Sequence, residues 1–418
     1  MKSQLTLILL LVPFLMLSQD NNSWKKSSLV FTPEILLGKT AESNDGFPDT
    51  ELQKQIVLSF GRDHTNNPKE WANGLKGLKT GVSLGITDFG NLDSLGLAIS
   101  AIPYAEFNIF KQKRLSALLG FGLSYFTKKY DSIENPNNQA VTTDLTMSFR
   151  AFVYYHFLTT NQINWKVGVG VAHHSNGHTR LLNQGYNSAL LSISADIRNQ
   201  KRTSEEILQN LTSSFSKSSY SYFRFSSGLG KNVLALPFND KKNVYTLSGV
   251  YGRVWNNRYK LGLGINYRFY QHYYDYIKGN ESLVNDGREF SHFKENPGWN
   301  ASNIALTING EYLLNHIGID LQIGINLHKP AYKIDWRINQ GWDNTPREIS
   351  ETWMLGEYNT KYKLKQLIST RLGLKYYLIG TINKPKHNVY AGCYINANLG
   401  QADFAELSLG YVYAFDFK

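Results

Sequence analysis

The chain has 418 residues, a formal net charge of +11, and 42% hydrophobic, 13% aromatic and 18% charged residues. Its single cysteine, Cys393, excludes an intramolecular disulfide. Beyond the N-terminal leader no run reaches the roughly 18 consecutive apolar residues of a membrane-spanning helix, which excludes a helical membrane protein.

In chain order, Lys2 precedes an apolar run from Leu5 to Leu17 broken by Thr6 and Pro13, and Ser18 and Gln19 follow. This predicts a secretory signal peptide over residues 1–19. Alternating segments then run to the end, at 28–38, 55–62, 77–89, 94–110, 115–128, 142–157, 163–176, 185–197, 221–231, 243–255, 259–274, 303–314, 317–328, 365–380, 388–398 and 403–417. Their lengths suit tilted bilayer-crossing strands, and abundant Gly and aromatic residues suit a barrel wall with aromatic girdles. In the last segment Leu407, Leu409, Tyr411, Tyr413, Phe415 and Phe417 share one face. The reading is an all-β, antiparallel transmembrane outer-membrane β-barrel, residues 20–418 forming a single domain of about 12–16 strands. A secreted β-sandwich is the alternative for so many short strands.

With Lys418 in the periplasm, the short links 381–387, 315–316, 256–258, 158–162 and 111–114 fall on the periplasmic side, and the long links 275–302, 329–364 and 129–141 fall outside. Links 63–76 and 199–220 break the rule, being long yet periplasmic, which points to a missed strand or helix there. The basic clusters Lys128-Lys129, Lys201-Arg202 and Lys241-Lys242 have no aromatic interleaving, so nucleic acid is not expected as a partner.

The segment from Trp165 to Arg198, WKVGVGVAHHSNGHTRLLNQGYNSALLSISADIR, carries the chemistry. At period two, Trp165, Val167, Val169, Val171, His173 and Ser175 share an apolar face, with Gly170 and His174 on the other. Asn187 enters the same face from the returning strand, with Ala189, Leu191 and Ile193. Polar groups on an aliphatic face are costly unless they pair with one another or with a substrate, and a face that looks at lipid makes that substrate a lipid. His173 can take the proton of Ser175, Asn187 can orient the imidazole, and Asn176 with the backbone at Gly177 can donate to an oxyanion. Spacing alone also fits two polar residues at the rim of an ordinary barrel. His174 and His178 have His-x3-His spacing, but Ser-Asn-Gly in that region predicts a turn, so neither a metal site nor a cofactor is expected.

His173-His174-Ser175-Asn176-Gly177 followed by Asn183-x-Gly185-x-Asn187 resembles the signature of the outer-membrane lipid A 3-O-deacylases of PagL type, or acyloxyacyl hydrolases. GLKTGVSLGITDFGN at 77–91, GFGLSYFTKKYDSIENPNN at 120–138 and GQADFAELSLGY at 400–411 extend the similarity to longer, Bacteroidetes-like members. The resemblance implies a β-barrel esterase in the cell outer membrane that releases a fatty acid from lipid A of lipopolysaccharide. It makes His173 the base, Ser175 the nucleophile and Asn176 an oxyanion contributor, with Asn183 the turn asparagine. Outer-membrane lipids and the barrel-assembly machinery are the implied partners. The chain departs from the pattern at Asn187, where the family carries a glutamate; an amide can orient the imidazole but cannot compensate its charge. The competing readings are a non-catalytic outer-membrane pore or transport barrel, and a purely structural envelope protein.

Overall fold

The computed structural model describes residues 28–65, 67, 72, 75–110, 114–199, 218–339 and 358–418; the expected signal peptide lies outside them. Sixteen antiparallel strands follow in chain order: β1 (Ser28–Thr40), β2 (Gln53–Asp63), β3 (Lys79–Asp88), β4 (Leu97–Asn108), β5 (Leu115–Phe126), β6 (Leu145–Thr159), β7 (Ile163–Ser175), β8 (Tyr186–Arg198), β9 (Ser219–Asn232), β10 (Lys242–Trp255), β11 (Tyr259–Tyr270), β12 (Ser302–Leu314), β13 (Ile317–His328), β14 (Ile368–Tyr377), β15 (His387–Asn398) and β16 (Gln401–Phe415). Every segment predicted from alternation contains a strand, but 259–274 and 365–380 overrun into the helices Gln271–Lys278 and Thr360–Leu367.

Closure corrects the expectation of one barrel. β8 turns back to pair with β1, from Val30 opposite Arg198 to Thr40 opposite Ser188, and β16 pairs with β9. Two separate eight-stranded barrels result, one from β1–β8 and one from β9–β16. The long link at 199–220, expected on the periplasmic side, connects one ring to the next in sequence, which accounts for its departure from the short-turn rule; residues 200–217 lie outside the described residues.

Alternation is realised on both walls. On β7, Trp165, Val167, Val169 and Val171 are exposed while Asn164, Lys166 and Ala172 are buried. On β11, Leu261, Leu263 and Ile265 are exposed while Lys260, Asn266 and Arg268 are buried. Such an outward apolar band is the surface hydrocarbon requires, and closure satisfies the backbone without water. No helix among the described residues is long and apolar enough to cross a membrane.

Eight-stranded barrels are just wide enough for side chains to fill them or to hold one small ligand. In the first barrel Lys79 and Lys166 alternate with Glu106 and Asp196 at 2.6–2.9 Å, and Arg150 bonds Glu34 at 2.7 Å. In the second, Arg224 meets Asp320 at 3.1 Å, Lys375 meets Glu311 at 2.7 Å and Arg371 meets Glu406 at 2.6 Å. Charged networks thus cross the lumen of each ring.

Val169 sits at the middle of β7 and is 59% exposed. Val169→Lys is therefore expected to destabilise the first barrel by about 2–4 kcal/mol, and Ile197→Lys, at the periplasmic end of β8, by about 0–1 kcal/mol. Urea-induced unfolding from lipid vesicles measures both; equal costs would overturn the assigned bilayer depth. Gly170 faces inward as expected, but a Cβ there would stand 2.4 Å from the Phe152 ring, so substitution at that position tests packing rather than polarity.

Candidate active site

The C-terminal end of β7 and the N-terminal end of β8 meet at one rim of the first barrel. Their register sets His173 directly opposite Asn187, and β6 sets Met147 opposite Ser175. His173 is half-buried and Asn187 exposed on the outward wall, as the parity of the strands requires. The cross-strand pair is hydrogen-bonded: His173 Nδ1 lies 2.8 Å from Asn187 Oδ1. An amide oxygen only accepts, so Nδ1 carries the proton and Nε2 keeps its lone pair.

Beyond Ser175 the chain enters the left-handed region at Gly177, φ 64°, and His178, φ 66°. Its φ favours glycine at the first of these, where a Cβ would also lie 2.2 Å from Met147 Cε, the movable end of that side chain. The fold of the turn brings two donors onto one oxygen. Ser175 Oγ accepts from the Gly177 N–H at 3.2 Å and from Asn183 Nδ2 at 2.9 Å. Ser175 is 8% exposed, and no hydrogen bond joins it to His173 here.

Asn176 is placed differently from the role the resemblance implies. Its Nδ2 donates to the Arg180 carbonyl at 2.7 Å and to Thr142 Oγ1 at 3.3 Å, its Oδ1 accepts from the Thr179 N–H, and its own N–H donates to Asn183 Oδ1 at 2.9 Å. Asn176 therefore builds the turn, and Asn183 supplies the side-chain donor to Ser175. Gly185, φ 76°, closes the turn: a Cβ there would stand 2.9 Å from His173 Cε1 and 3.0 Å from the His174 carbonyl oxygen. Only glycine lets β8 begin against the imidazole. The sequence marked both residues by position but not these contacts, which depend on the path of the turn.

His174 points into the lumen, bonded through Nδ1 to Ser148 Oγ at 2.7 Å and edge-on to Phe89 and Phe126. Tyr186 stacks on Phe89 and Phe126, so this aromatic layer supports the strand ends beneath the site. His178 lies on the turn; His174 and His178 are thus held by separate surroundings.

The sequence model of the family described as Lipid A 3-O-deacylase (PagL) matches residues 54–196, which span β2 to β8 of the first barrel. That family is one of ester hydrolases acting at the outer membrane. Among solved structures, the outer membrane enzyme PagL is similar at 17% identity and a TM-score of 0.29, covering 39% of this chain and 97% of that one. OpdK of Pseudomonas aeruginosa, determined with vanillate, is 10% identical with a TM-score of 0.17, covering 94% of this chain and 99% of that one. Outer membrane phospholipase A from Escherichia coli is 9% identical with a TM-score of 0.16, covering 93% and 95%. No curated protein sequence is matched.

Proposed function

We propose that this chain is an outer-membrane esterase that removes an ester-linked acyl chain from lipid A, with Ser175 as nucleophile, His173 as base and Asn187 as orienter. The observation that carries the reading is the His173–Asn187 pair at 2.8 Å, which leaves Nε2 free on the strand face that also bears Ser175. The family match over residues 54–196 supports the substrate class. Val171 and Ala189 are exposed beside the pair on the outward wall, with the Lys39 ammonium exposed opposite Ala189 on β1, and on this reading an acyl chain reaches the site from within the bilayer while a cation stands by for the lipid's anionic head.

Rotation of the Ser175 side chain toward His173 is the step that starts the reaction. His173 Nε2 takes the hydroxyl proton as Oγ bonds to the ester carbonyl carbon, and the carbonyl oxygen becomes an oxyanion. Gly177 N–H and Asn183 Nδ2 both donate to Ser175 Oγ at rest; once Oγ turns toward His173 they are released, and on this reading they donate to the oxyanion. The C–O bond to the sugar then breaks, and His173 returns the proton to the departing alkoxide. Water, deprotonated by His173, attacks the acyl-serine and releases the fatty acid and Ser175. Asn187 fixes the tautomer throughout, but as a neutral amide it stabilises the imidazolium less than a carboxylate would.

Mass spectrometry of lipid A from cells with and without the protein tests the reading. The expected result is loss of one acyl chain; unchanged lipid A with a folded, surface-exposed protein would reject it. Asn187→Ala is expected to lower acyl release by less than the roughly 10⁴-fold that loss of the correct tautomer costs in a comparable triad. Asn187→Glu is expected to keep or raise activity. If Asn187→Ala is fully active on purified lipid A, the orienter lies elsewhere.

A further inference from the structure

The turn that carries the Ser175 donors is held from the second barrel as well as from its own. Asn239 lies in the outer connection between β9 and β10. Its Oδ1 accepts from the Leu181 N–H at 2.8 Å, and its Nδ2 donates to the Leu181 carbonyl at 2.6 Å. One primary amide thus satisfies both backbone groups of a single buried residue. Leu181 sits in the centre of the site's scaffold. The carbonyl before it, on Arg180, accepts from Asn176 Nδ2, and Asn183, two residues later, donates to Ser175 Oγ. A further observation brings the same turn against the second barrel: a Cβ on Gly177 would lie 3.7 Å from Ala405 Cβ on β16.

We propose that the second barrel holds the first barrel's reactive turn in place, and that Asn239 is the positioning residue through which it does so. Asn239 touches neither Ser175 nor His173; it acts by fixing Leu181, and through Leu181 the directions of the Gly177 and Asn183 donors. The contact stands on the geometry alone, whereas its effect on rate rests on the deacylase reading. Donors aimed at an oxyanion lose their worth with small displacements, so a turn freed to move by about 1 Å is expected to cost about 10–100-fold in rate.

The test is hydrogen–deuterium exchange and lipid A hydrolysis on the full chain and its Asn239→Ala variant. Exchange across residues 176–185 is expected to rise while β7, β8 and the strands of the second barrel stay protected, which also verifies folding. On purified lipid A kcat is expected to fall about 10–100-fold with KM near wild type, and Asn239→Gln, which keeps the amide, to recover part of the loss. Unchanged exchange in the turn would overturn the contact, and raised exchange with wild-type kcat would overturn the positioning role. If the wild-type chain does not hydrolyse lipid A while Asn239→Ala still loosens the turn, the deacylase reading fails and the holding of the turn stands.

Discussion

Ser175→Ala is expected to lower acyl release from lipid A by about 10⁴–10⁶-fold while leaving the first barrel folded, because no other hydroxyl in the turn receives the same two donors. His173→Ala should fall to the same level. The two residues form one proton-transfer unit, so the double variant is expected to be little slower than either single one. The folding control matters because the Ser175 hydroxyl also receives the Gly177 N–H and the Asn183 amide, whereas the strand ladder of the barrel does not depend on that hydroxyl. Release of fatty acid from purified lipid A, with heat-modifiable migration as the folding control, measures all three. Near wild-type release by Ser175→Ala would remove the nucleophile assignment and with it the mechanism.

The largest stability effect is expected from Asp196→Ala. Asp196 is fully buried between Lys79 at 2.6 Å and Lys166 at 2.9 Å, and it also accepts from Thr32 Oγ1 at 2.9 Å. Its loss leaves two ammonium groups in the lumen with Glu106 as the carboxylate they share. Breaking a buried charge network by removing one partner costs about 3–5 kcal/mol, mainly because the remaining charges stay desolvated. The exposed pair of Lys129 and Asp144 supplies the contrast, and Asp144→Ala is expected to cost about 0–1 kcal/mol. Urea titration of the folded protein in lipid, followed by protease protection of the first barrel, separates the two. A cost below about 1 kcal/mol for Asp196→Ala would mean that water reaches the lumen and the ring of charges is solvated. Since the barrels close separately, the second should keep its protection.

The departure at Asn187 has a structural side. The amide lies directly across the ladder from His173, at the position where the resemblance implies a glutamate. A glutamate there would add a charge and one methylene on the exposed wall, where Asn187 already stands. That is why Asn187→Glu is the informative substitution: it alters the electrostatics of the imidazolium without changing the strand register.

The sequence by itself determined every strand, because an outward face in hydrocarbon and an inward face in a polar lumen impose period two on the residues themselves. It determined the wall on which His173, Ser175 and Asn187 stand for the same reason: parity fixes direction. It also held a sign of the division into two barrels, the long link at 199–220, but could not interpret it. Alternation is the same whether β8 pairs with β9 or turns back to β1, since both partners present the same inward and outward faces; the choice is made by closure of the hydrogen-bonded ring. Only the tertiary structure decided that choice, and with it the charged networks across each lumen. The turn's internal bonds were likewise illegible. Asn176 and Asn183 have the same side-chain chemistry, and which of them faces Ser175 depends on two consecutive left-handed residues that reverse the chain at Gly177 and His178. Asn239 lay furthest from reach, because a contact between loops of two barrels leaves no periodicity or spacing in either, and exists only where the folded walls bring Leu181 beside it.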